Sequence, residues 1–261
     1  MTAFSVEITD PLLIERGVAA TLDFYATLAF DELQQKAMHA FITGIESPYL
    51  NVIFDLRKNP HTSAAQVEFF RNYFQFHSIP WSWFALSAGS HDSLHRHGLM
   101  LVDQSPAMYL GLTNTISQPE LADFIVEEAS PDDNLKNWIE PIQEAFPSED
   151  NCEGYRVLNA KLLNQGEKKL KHFVARYQGE VVSAATLFFH DDAVMIHNLA
   201  TKTAFLKRGF GTAFSAYLLQ YAKQRQYQHC FLDSSVDGFT IYKKLGFKVC
   251  YTTSIYQLRH N

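Results

Sequence analysis

The amino-acid sequence predicts a mixed α/β protein in which a sheet is flanked by helices. Apolar runs of strand length alternate with longer runs of helical periodicity along the 261 residues. In the second half the predicted order is strand, helix, three strands, helix, strand, helix and strand. Turn and cap residues fall between these runs throughout, so the local chemistry agrees with the pattern.

The first half is predicted to contain three helices and four strands. In the second helix Val67, Phe70, Tyr73 and Phe74 share one face, and Pro80 ends it. The last two strands are expected to meet at a hairpin. The helices are predicted over 12–37, 63–80 and 92–97, and the strands over 49–56, 81–87, 99–103 and 107–112.

The second half begins with a strand over 122–128. Ser130-Pro131-Asp132-Asp133 then combines a capping hydroxyl, a first-turn proline and two acids, which is typical of a helix start. Pro141 predicts a kink in that helix. The later elements are strands over 172–177, 180–190 and 193–201, a helix opened by Gly211, a strand over 230–235, a short helix over 238–245 and strands within 247–258.

The polar segment TNTISQPEL, residues 113–121, is the best linker candidate, and we divide the chain into domains 1–118 and 119–261. Residues 93–112 and 241–258 share a layout. In each, a short helix ends at a glycine, an apolar residue follows, and two strands are expected to meet at a hairpin. Each copy also follows a long helix and an extended segment, which favours two related halves.

The composition excludes several classes of protein. A net charge of −6 argues against nucleic acid as a partner and mildly favours a cationic substrate such as an amine. Cys152, Cys230 and Cys250 have no metal-like spacing and fit a reducing compartment. We see no secretory signal and no apolar run near the ~20 residues that cross a bilayer. We therefore expect a cytoplasmic protein with no membrane partner.

Two glycines, Gly209 and Gly211, lie one residue apart at the start of a predicted helix. Loop amides and first-turn N–H groups at such a place can bind a phosphate. The dinucleotide motif is excluded because Phe214 stands where its third glycine belongs, and no P-loop sequence is present. On its own, G-x-G is more often an ordinary turn before a helix.

The neighbouring residues favour a phosphate-binding loop over an ordinary turn. Leu206-Lys207-Arg208-Gly209-Phe210-Gly211 and Tyr242-Lys243-Lys244-Leu245-Gly246-Phe247 resemble two motifs of the GNAT acyltransferase superfamily. These are Q/R-x-x-G-x-G/A, before the helix that holds acetyl-coenzyme A, and a Y-x-x-L-G-F segment near the end of the fold. The resemblance implies a GNAT fold for the second half and acetyl-coenzyme A as co-substrate.

The resemblance also implies roles for particular residues. The N–H of Leu199 would face the thioester oxygen, and Tyr242 would protonate the leaving thiolate. The backbone of residues 199–201 would pair with the pantetheine arm as an added strand. The expected coenzyme contacts are Leu199, Ala200, Thr201, Lys207, Arg208, Gly209, Phe210, Gly211, Thr212, Ser234, Ser235 and Tyr242.

One position departs from the family pattern. Leu206 stands where Gln or Arg is usual, and a register starting at Arg208 would restore the charge but lengthen the loop after Thr201. Because the motif works mainly through backbone N–H groups, we expect phosphate binding to persist. Lys207 or Arg208 would then supply the positive charge.

Several assignments stay open. His197 and Asp233 are candidates for the general base, although His197 fits a core position equally well. Ser234 and Ser235 could contact pantetheine or cap the next helix. We predict no metal site, since His91, His95 and His97 have no Cys or carboxylate at a known spacing. The absence of a G-x-S-x-G elbow argues against serine hydrolysis.

The first half lacks a glycine in RKNPHTSAAQ, the stretch that corresponds to the phosphate loop. We predict a degenerate GNAT-like half that could complete the acceptor pocket, close a joint sheet or mediate dimerisation. The leading function is an N-acetyltransferase that acts by direct attack on a small or peptidic primary amine. The alternative is a non-catalytic acyl-coenzyme A sensor, or a dimerisation protein with a vestigial site.

Overall fold

The computed structural model describes residues 4–57, 63–86, 92–113, 119, 121–131, 135–146 and 152–258. These residues form one mixed sheet of eleven strands with helices on both faces. The helices are Pro11–Leu28 (α1), Ala64–Phe76 (α2), Asp92–Arg96 (α3), Lys136–Ala145 (α4), Cys152–Asn164 (α5), Phe210–Gln224 (α6) and Val236–Lys244 (α7). In this part of the chain, no helix has the length and apolar character that a membrane span requires.

The strands of the first half are Asp31–Gln35 (β1), Met38–Ile42 (β2), Asn51–Asp55 (β3), Ser82–Ala85 (β4) and Leu99–Gly111 (β5). Those of the second half are Phe124–Glu128 (β6), Leu170–Tyr177 (β7), Glu180–His190 (β8), Ala193–Thr201 (β9), His229–Asp233 (β10) and Lys248–Leu258 (β11). The spatial order is β1-β2-β3-β4-β11-β5-β10-β9-β8-β7-β6.

The two halves repeat one arrangement of strands. β1, β2 and β3 form an antiparallel meander, and α2 then connects β3 to a parallel β4. β7, β8 and β9 do the same, with α6 connecting β9 to a parallel β10. The matching order agrees with two related halves, although the degenerate GNAT origin of the first half stays a prediction.

The halves exchange their last strands at the centre of the sheet. β5 of the first half lies between β11 and β10 of the second, and β11 lies between β5 and β4 of the first. The hairpins expected within 99–112 and within 247–258 are therefore wrong. Each segment is one long strand, and the two strands pair with each other in antiparallel register from Lys248–Tyr109 to Leu258–Leu99.

Helix α1 packs against one face of this joint sheet and reaches both halves. Gly17 lies against Phe231 of β10, so closely that a Cβ at Gly17 would come 2.9 Å from the ring. Further along α1, the ring centroid of Phe24 is 5.5 Å from that of Phe188, and that of Tyr25 is 5.1 Å from that of Phe54. α4 and α5 share this face, whereas α6 packs on the opposite face.

Three further differences from the sequence prediction have local causes. The helix predicted to residue 37 ends at Leu28, because residues 31–42 form the β1–β2 hairpin around Lys36, whose φ is 55°. α5 was missed because its buried side includes Arg156 and Asn159, which break the apolar periodicity. α4 begins at Lys136, after the predicted start signature.

Some predictions fall on residues that the structure does not describe. Asp132 and Asp133 of the helix-start signature are among them, as are 114–118 and 120 of the expected linker and His91 of the histidine group. The domain boundary at 118 stays a prediction. The shared sheet shows that residues on both sides of it build one structural layer.

Candidate active site

The parallel strands β9 and β10 part midway along β9. Their pairing extends from His229–Ala193 to Phe231–Met195 and stops there, although β9 continues to Thr201. Beyond Met195, β9 pairs with β8 alone. A cleft therefore opens beside the last residues of β9, at the place where the sequence resemblance leads us to expect a bound pantetheine arm.

A bulge bends β9 at the start of this cleft. The register with β8 shifts between Ala184 and Thr186, and Asn198 has a φ of 53°. The side-chain amide of Asn198 donates a hydrogen bond of 2.7 Å to the Tyr155 hydroxyl on α5, which holds the bulge. Leu199, the predicted oxyanion residue, follows directly and lines the cavity described below.

The loop before α6, where we expect the coenzyme phosphates to bind, has a positive φ at Gly209 but not at Gly211. Gly209 precedes α6 with a φ of 88°, and a Cβ there would meet no atom within 4 Å, so the angle rather than crowding favours glycine. The first intrahelical bond runs from the Ala213 N–H to the Gly209 carbonyl, which leaves the amides of 210–212 as first-turn donors. Gly211 is helical, and a Cβ there would make ordinary contacts with Ile241 and Thr201.

The cationic side chains of the loop differ in their surroundings. The Arg208 guanidinium lies 5.1 Å from the ring centroids of Tyr177, Phe205 and Phe210, so three rings hold it by cation–π contact. Lys207 is exposed and has a φ of 60°. Leu206 is 51% exposed, so its side chain makes little contribution to the core.

A cavity of about 350 Å³ adjoins the cleft, and residues from both halves line it. The second half contributes Leu199 of β9, Asp233 of β10, Tyr242 of α7 and Tyr251 of β11, and the first half contributes residues of α1, β3, β4 and β5. We call this cavity the interhalf chamber. The first half therefore joins the sheet and lines this cavity, whereas its role in an acceptor pocket stays a prediction.

Tyr242 is buried, with 7% of its surface exposed, and borders the interhalf chamber. Burial and the nearby Cys230 raise the pKa of the Tyr242 phenol well above its usual value. The phenol therefore keeps its proton at neutral pH. That is the state a general acid needs before it protonates a leaving thiolate.

The two candidate bases have opposite pKa shifts. Burial lowers the pKa of His197 to about 3, and its ring stacks on Phe24 at 3.7 Å between centroids. The Nε2 atom of His197 is buried without a hydrogen-bond partner among the described residues. His197 is thus neutral and forms part of the wall, which favours the core interpretation.

Asp233 is better suited to accept a proton. Burial raises the pKa of its carboxyl group to about 6, close to neutral pH. The Asp233 side chain is nevertheless accessible, because it faces the interhalf chamber. Protein atoms surround it at longer range, and this burial raises its pKa. Asp233 lies at the end of β10, on the edge of the same cleft.

Ser235 caps α7, since its hydroxyl accepts a hydrogen bond of 3.1 Å from the Gly238 N–H. The Ser234 hydroxyl donates to the Ser235 carbonyl at 2.8 Å. Both serines line the interhalf chamber, so contact with pantetheine stays a prediction for each. Thr201 shares a hydrogen bond of 2.8 Å with Ser183, and Ala200 is buried opposite Ala184.

Sequence reasoning missed several residues of the site. Tyr155 of α5 and Thr21 of α1 line the interhalf chamber, but both lie far from the motifs in the sequence and no local signal marks them. Asn198 could have been noticed, because asparagine is unfavourable within a strand and often marks a bend. Tyr251 belongs to β11, where the expected hairpin concealed its place beside Asp233.

Comparison with known proteins agrees with this geometry. The sequence model described as "Acetyltransferase (GNAT) family" matches residues 135–247. Residues 135–247 thus resemble a GNAT domain. The matched segment includes the parted strands, the Gly209 loop and Tyr242. No protein with a curated description matches the chain.

Solved structures extend the GNAT fold to most of the chain. A GCN5-related N-acetyltransferase from Kribbella flavida aligns with a TM-score of 0.74 at 16% identity, over 94% of this chain and 95% of that chain. One from Sphaerobacter thermophilus gives 0.62 at 15% identity, over 84% and 76%. A putative GNAT acetyltransferase from Novosphingobium aromaticivorans gives 0.58 at 10% identity, over 95% and 99%. At these identities the likeness shows the fold.

The first half differs from the GNAT domain at the equivalent place. β3 and β4 stay paired along their whole length, from Val52–Ser82 to Asp55–Ala85, and the Leu86 N–H still reaches the Asp55 carbonyl at 3.3 Å. Within the described residues, no cleft opens between β3 and β4. The loss of a coenzyme site from this half stays a prediction.

Proposed function

We propose that the protein is an N-acetyltransferase that moves the acetyl group of acetyl-coenzyme A to a primary amine. The observation that carries this proposal is the cleft between β9 and β10. It leads from the amides at the start of α6 to a chamber that contains a protonated tyrosine and a carboxylate of raised pKa.

The coenzyme would bind through main-chain groups. The amides of 210–212 and the positive end of α6 suit a diphosphate, and Gly209 gives the loop the backbone angle that directs them outward. The pantetheine arm would lie along residues 199–201, where β9 has no partner on the β10 side. Lys207 and Arg208 lie beside the loop and would add charge.

The chemistry then follows from the groups around the chamber. The amine nitrogen attacks the thioester carbonyl carbon, and the Leu199 N–H stabilises the oxyanion that forms. Asp233 accepts the proton that leaves the nitrogen, directly or through a water molecule. The C–S bond breaks, Tyr242 protonates the thiolate, and amide and free thiol are the products.

A calorimetric titration with acetyl-coenzyme A, followed by measurement of free thiol with a panel of amines, tests this function. We expect one coenzyme per chain, because only the β9–β10 pair is parted among the described parallel pairs. We also expect thiol release that depends on the amine. Binding without thiol release for any amine would favour the acyl-coenzyme A sensor, and no binding at millimolar coenzyme would favour a vestigial site.

A further inference from the structure

Two carboxylates line the interhalf chamber at places well separated along the sheet. Asp233, at the end of β10, pairs with Ala107 of β5, and Asp103 lies four residues before Ala107 on the same strand. Four residues of a strand span about 13 Å and neighbouring strands lie about 5 Å apart, so the Cα atoms of Asp103 and Asp233 are about 14 Å from each other. One ammonium group cannot meet both carboxylates, whereas a longer ligand with two positive groups can.

Both side chains belong to the same face of the sheet. Alternate residues of a strand face the same side, so Asp103, Ser105 and Ala107 share one face. Asp233 shares it as well, because it lies directly opposite Ala107. The pairing of β11 with β5 has no register shift between residues 103 and 107, so the alternation is continuous there. The two carboxylates therefore project from one surface, at a separation close to that of their Cα atoms.

Hydroxyl groups lie between the two carboxylates. Ser105 of β5 and Thr253 of β11 pair with each other, and both line the chamber. The Ser105 hydroxyl donates a hydrogen bond of 3.0 Å to the Ser234 carbonyl. Towards β3 and β4, the rings of Phe54 and Phe84 form the wall, with centroids 5.3 Å apart. An extended chain can therefore lie along β5, over a polar floor, from one carboxylate to the other.

The charges around the chamber favour positive groups at both places. Among the described lining residues there is neither lysine nor arginine. The one histidine, His197, is neutral at physiological pH because burial lowers its pKa to about 3. None of the ion pairs in the described part of the chain involves Asp103 or Asp233. A ligand with a negative group at either end would be repelled.

The separation of the carboxylates sets the length of the ligand. Because an ammonium nitrogen lies about 3 Å from the carboxylate that it contacts, two nitrogens held between Asp103 and Asp233 are about 8–12 Å apart. An extended chain advances about 1.2 Å per bond, so roughly seven to ten bonds join the two nitrogens. The cavity of about 350 Å³ is at the lower end of the range of roughly 300–1,000 Å³ for small-molecule sites, which suits a single linear chain.

We propose that the acceptor is a long linear di- or polyamine, with its reacting nitrogen at Asp233 and a second ammonium group at Asp103. The reacting nitrogen gains the acetyl group and gives its proton to Asp233, while the second ammonium group keeps its protons. This inference rests on the proposed function, because it names the substrate class of the same site. Asp103 belongs to the first half, so the strand exchange gives that half a role in selecting the acceptor.

A panel of amines matched in length tests the proposal with the full chain and acetyl-coenzyme A. It compares 1,8-diaminooctane with nonylamine, in which a methyl group replaces one ammonium group, and with 9-aminononanoate, in which a carboxylate replaces it. The pair 1,4-diaminobutane and pentylamine repeats the first comparison with a chain too short to span the two carboxylates. We expect the second ammonium group to raise kcat/KM about fivefold or more in the long pair, beyond the statistical advantage of two reactive ends, and little in the short pair. The compound 9-aminononanoate should be the poorest long amine.

Substitution of Asp103 provides the second readout. Asp103→Asn should lower kcat/KM for 1,8-diaminooctane by about three- to tenfold and change that for nonylamine little, since it removes the charge and keeps the shape of the side chain. Asp191→Asn is the control, because it removes the same charge from the turn between β8 and β9, where the Asp191 side chain is 84% exposed. Asparagine tolerates the φ of 50° at that position. The affinity for acetyl-coenzyme A should be the same in both variants as in the unchanged chain.

The outcomes separate this inference from the proposed function. Equal kcat/KM for 1,8-diaminooctane and nonylamine would overturn the diamine assignment and leave the acetyltransferase proposal intact. An equal effect of Asp103→Asn and Asp191→Asn would overturn the role of Asp103. If acetyl-coenzyme A does not bind, the proposed function fails, and titration of both amines into the chain without coenzyme then decides. Tighter binding of 1,8-diaminooctane that Asp103→Asn abolishes would support a diamine site in the chamber, whereas equal binding of the two amines would exclude one.

Discussion

At the residue scale, the most specific prediction concerns Tyr242. Tyr242→Phe keeps the ring, whose centroid lies 5.6 Å from that of Phe247, and removes only the hydroxyl. We expect kcat to fall by about tenfold or more, towards the ~10²-fold effect of a positioned acid, with little change in coenzyme affinity. Steady-state thiol release and calorimetry measure the two quantities.

Tyr221→Phe is the matched control for this substitution. The Tyr221 hydroxyl is buried on α6 without a hydrogen-bond partner among the described residues, so its removal should leave both activity and folding nearly unchanged. Unchanged kcat in Tyr242→Phe would remove Tyr242 from the mechanism.

Asp233 gives a prediction about pH. Its pKa is raised to about 6, so the carboxylate needed as a base is lost as the pH falls through about 6, and kcat/KM should fall with it. Asp233→Asn should be slower and should lack this acidic limb. A pH–rate profile that keeps the limb in the variant would assign it to another group.

The same pKa shift predicts an effect on stability of opposite sign. A carboxyl whose folded pKa lies above its unfolded value of about 3.9 destabilises the fold once it ionises, so this penalty develops between about pH 4 and pH 6. Asp233→Asn should therefore raise the Tm at pH 7, or leave it unchanged, while it lowers activity. A lower Tm at pH 7 would indicate that the carboxylate supports the fold.

At the element scale, the loop before α6 can be tested with a pair of glycines. Gly209→Ala places a Cβ in open space but at a φ of 88°, and we expect a stability cost of about 1 kcal/mol together with weaker acetyl-coenzyme A binding. Gly166→Ala has nearly the same φ, 86°, and equally open surroundings, but follows α5. It should show the stability cost alone.

Chemical denaturation and calorimetry on both variants distinguish the two effects. If Gly209→Ala and Gly166→Ala bind acetyl-coenzyme A with equal affinity, the diphosphate does not bind at the loop before α6.

The elements of the second half were largely predictable, because their signals are local. β8 and β9 have the predicted bounds, since turn residues flank each apolar run. In the first half Lys36-Ala37 forms a tight turn without a glycine or asparagine, so the β1–β2 hairpin carried no turn signature. The hairpin expected between 103 and 107 is wrong because Pro106 lies within β5, at the point where the pairing with β10 ends.

At the scale of the whole molecule, the exchange of β5 and β11 predicts how fragments behave. Residues 119–261 alone would lack β5, which leaves β10 unpaired on one side and the end of β11 without β4. We expect this fragment and residues 1–118 to be poorly soluble separately, and to associate and bind acetyl-coenzyme A when co-expressed. Size-exclusion chromatography and calorimetry provide the readouts.

Cleavage of the intact chain within 113–121 serves as the control, and its two pieces should stay together. A fragment 119–261 that is monomeric and binds the coenzyme with full affinity would contradict the dependence on β5.

The interhalf chamber shows why part of the site could not be predicted. The motifs around Gly209 and Tyr242 predict a coenzyme site from the sequence because they are short and contiguous. The rest of the chamber includes Tyr25, Phe84 and Asp233, which line one cavity only through the strand exchange and the path of α1 across both halves. No local pattern records contacts between residues so distant in the chain.

A crystal structure of the chain with bound coenzyme A would locate the coenzyme directly. We expect the diphosphate within hydrogen-bond distance of the amides of 210–212, and the thiol between β9 and β10 beside Tyr242. A diphosphate bound away from those amides, or a thiol outside the β9–β10 cleft, would contradict this expectation.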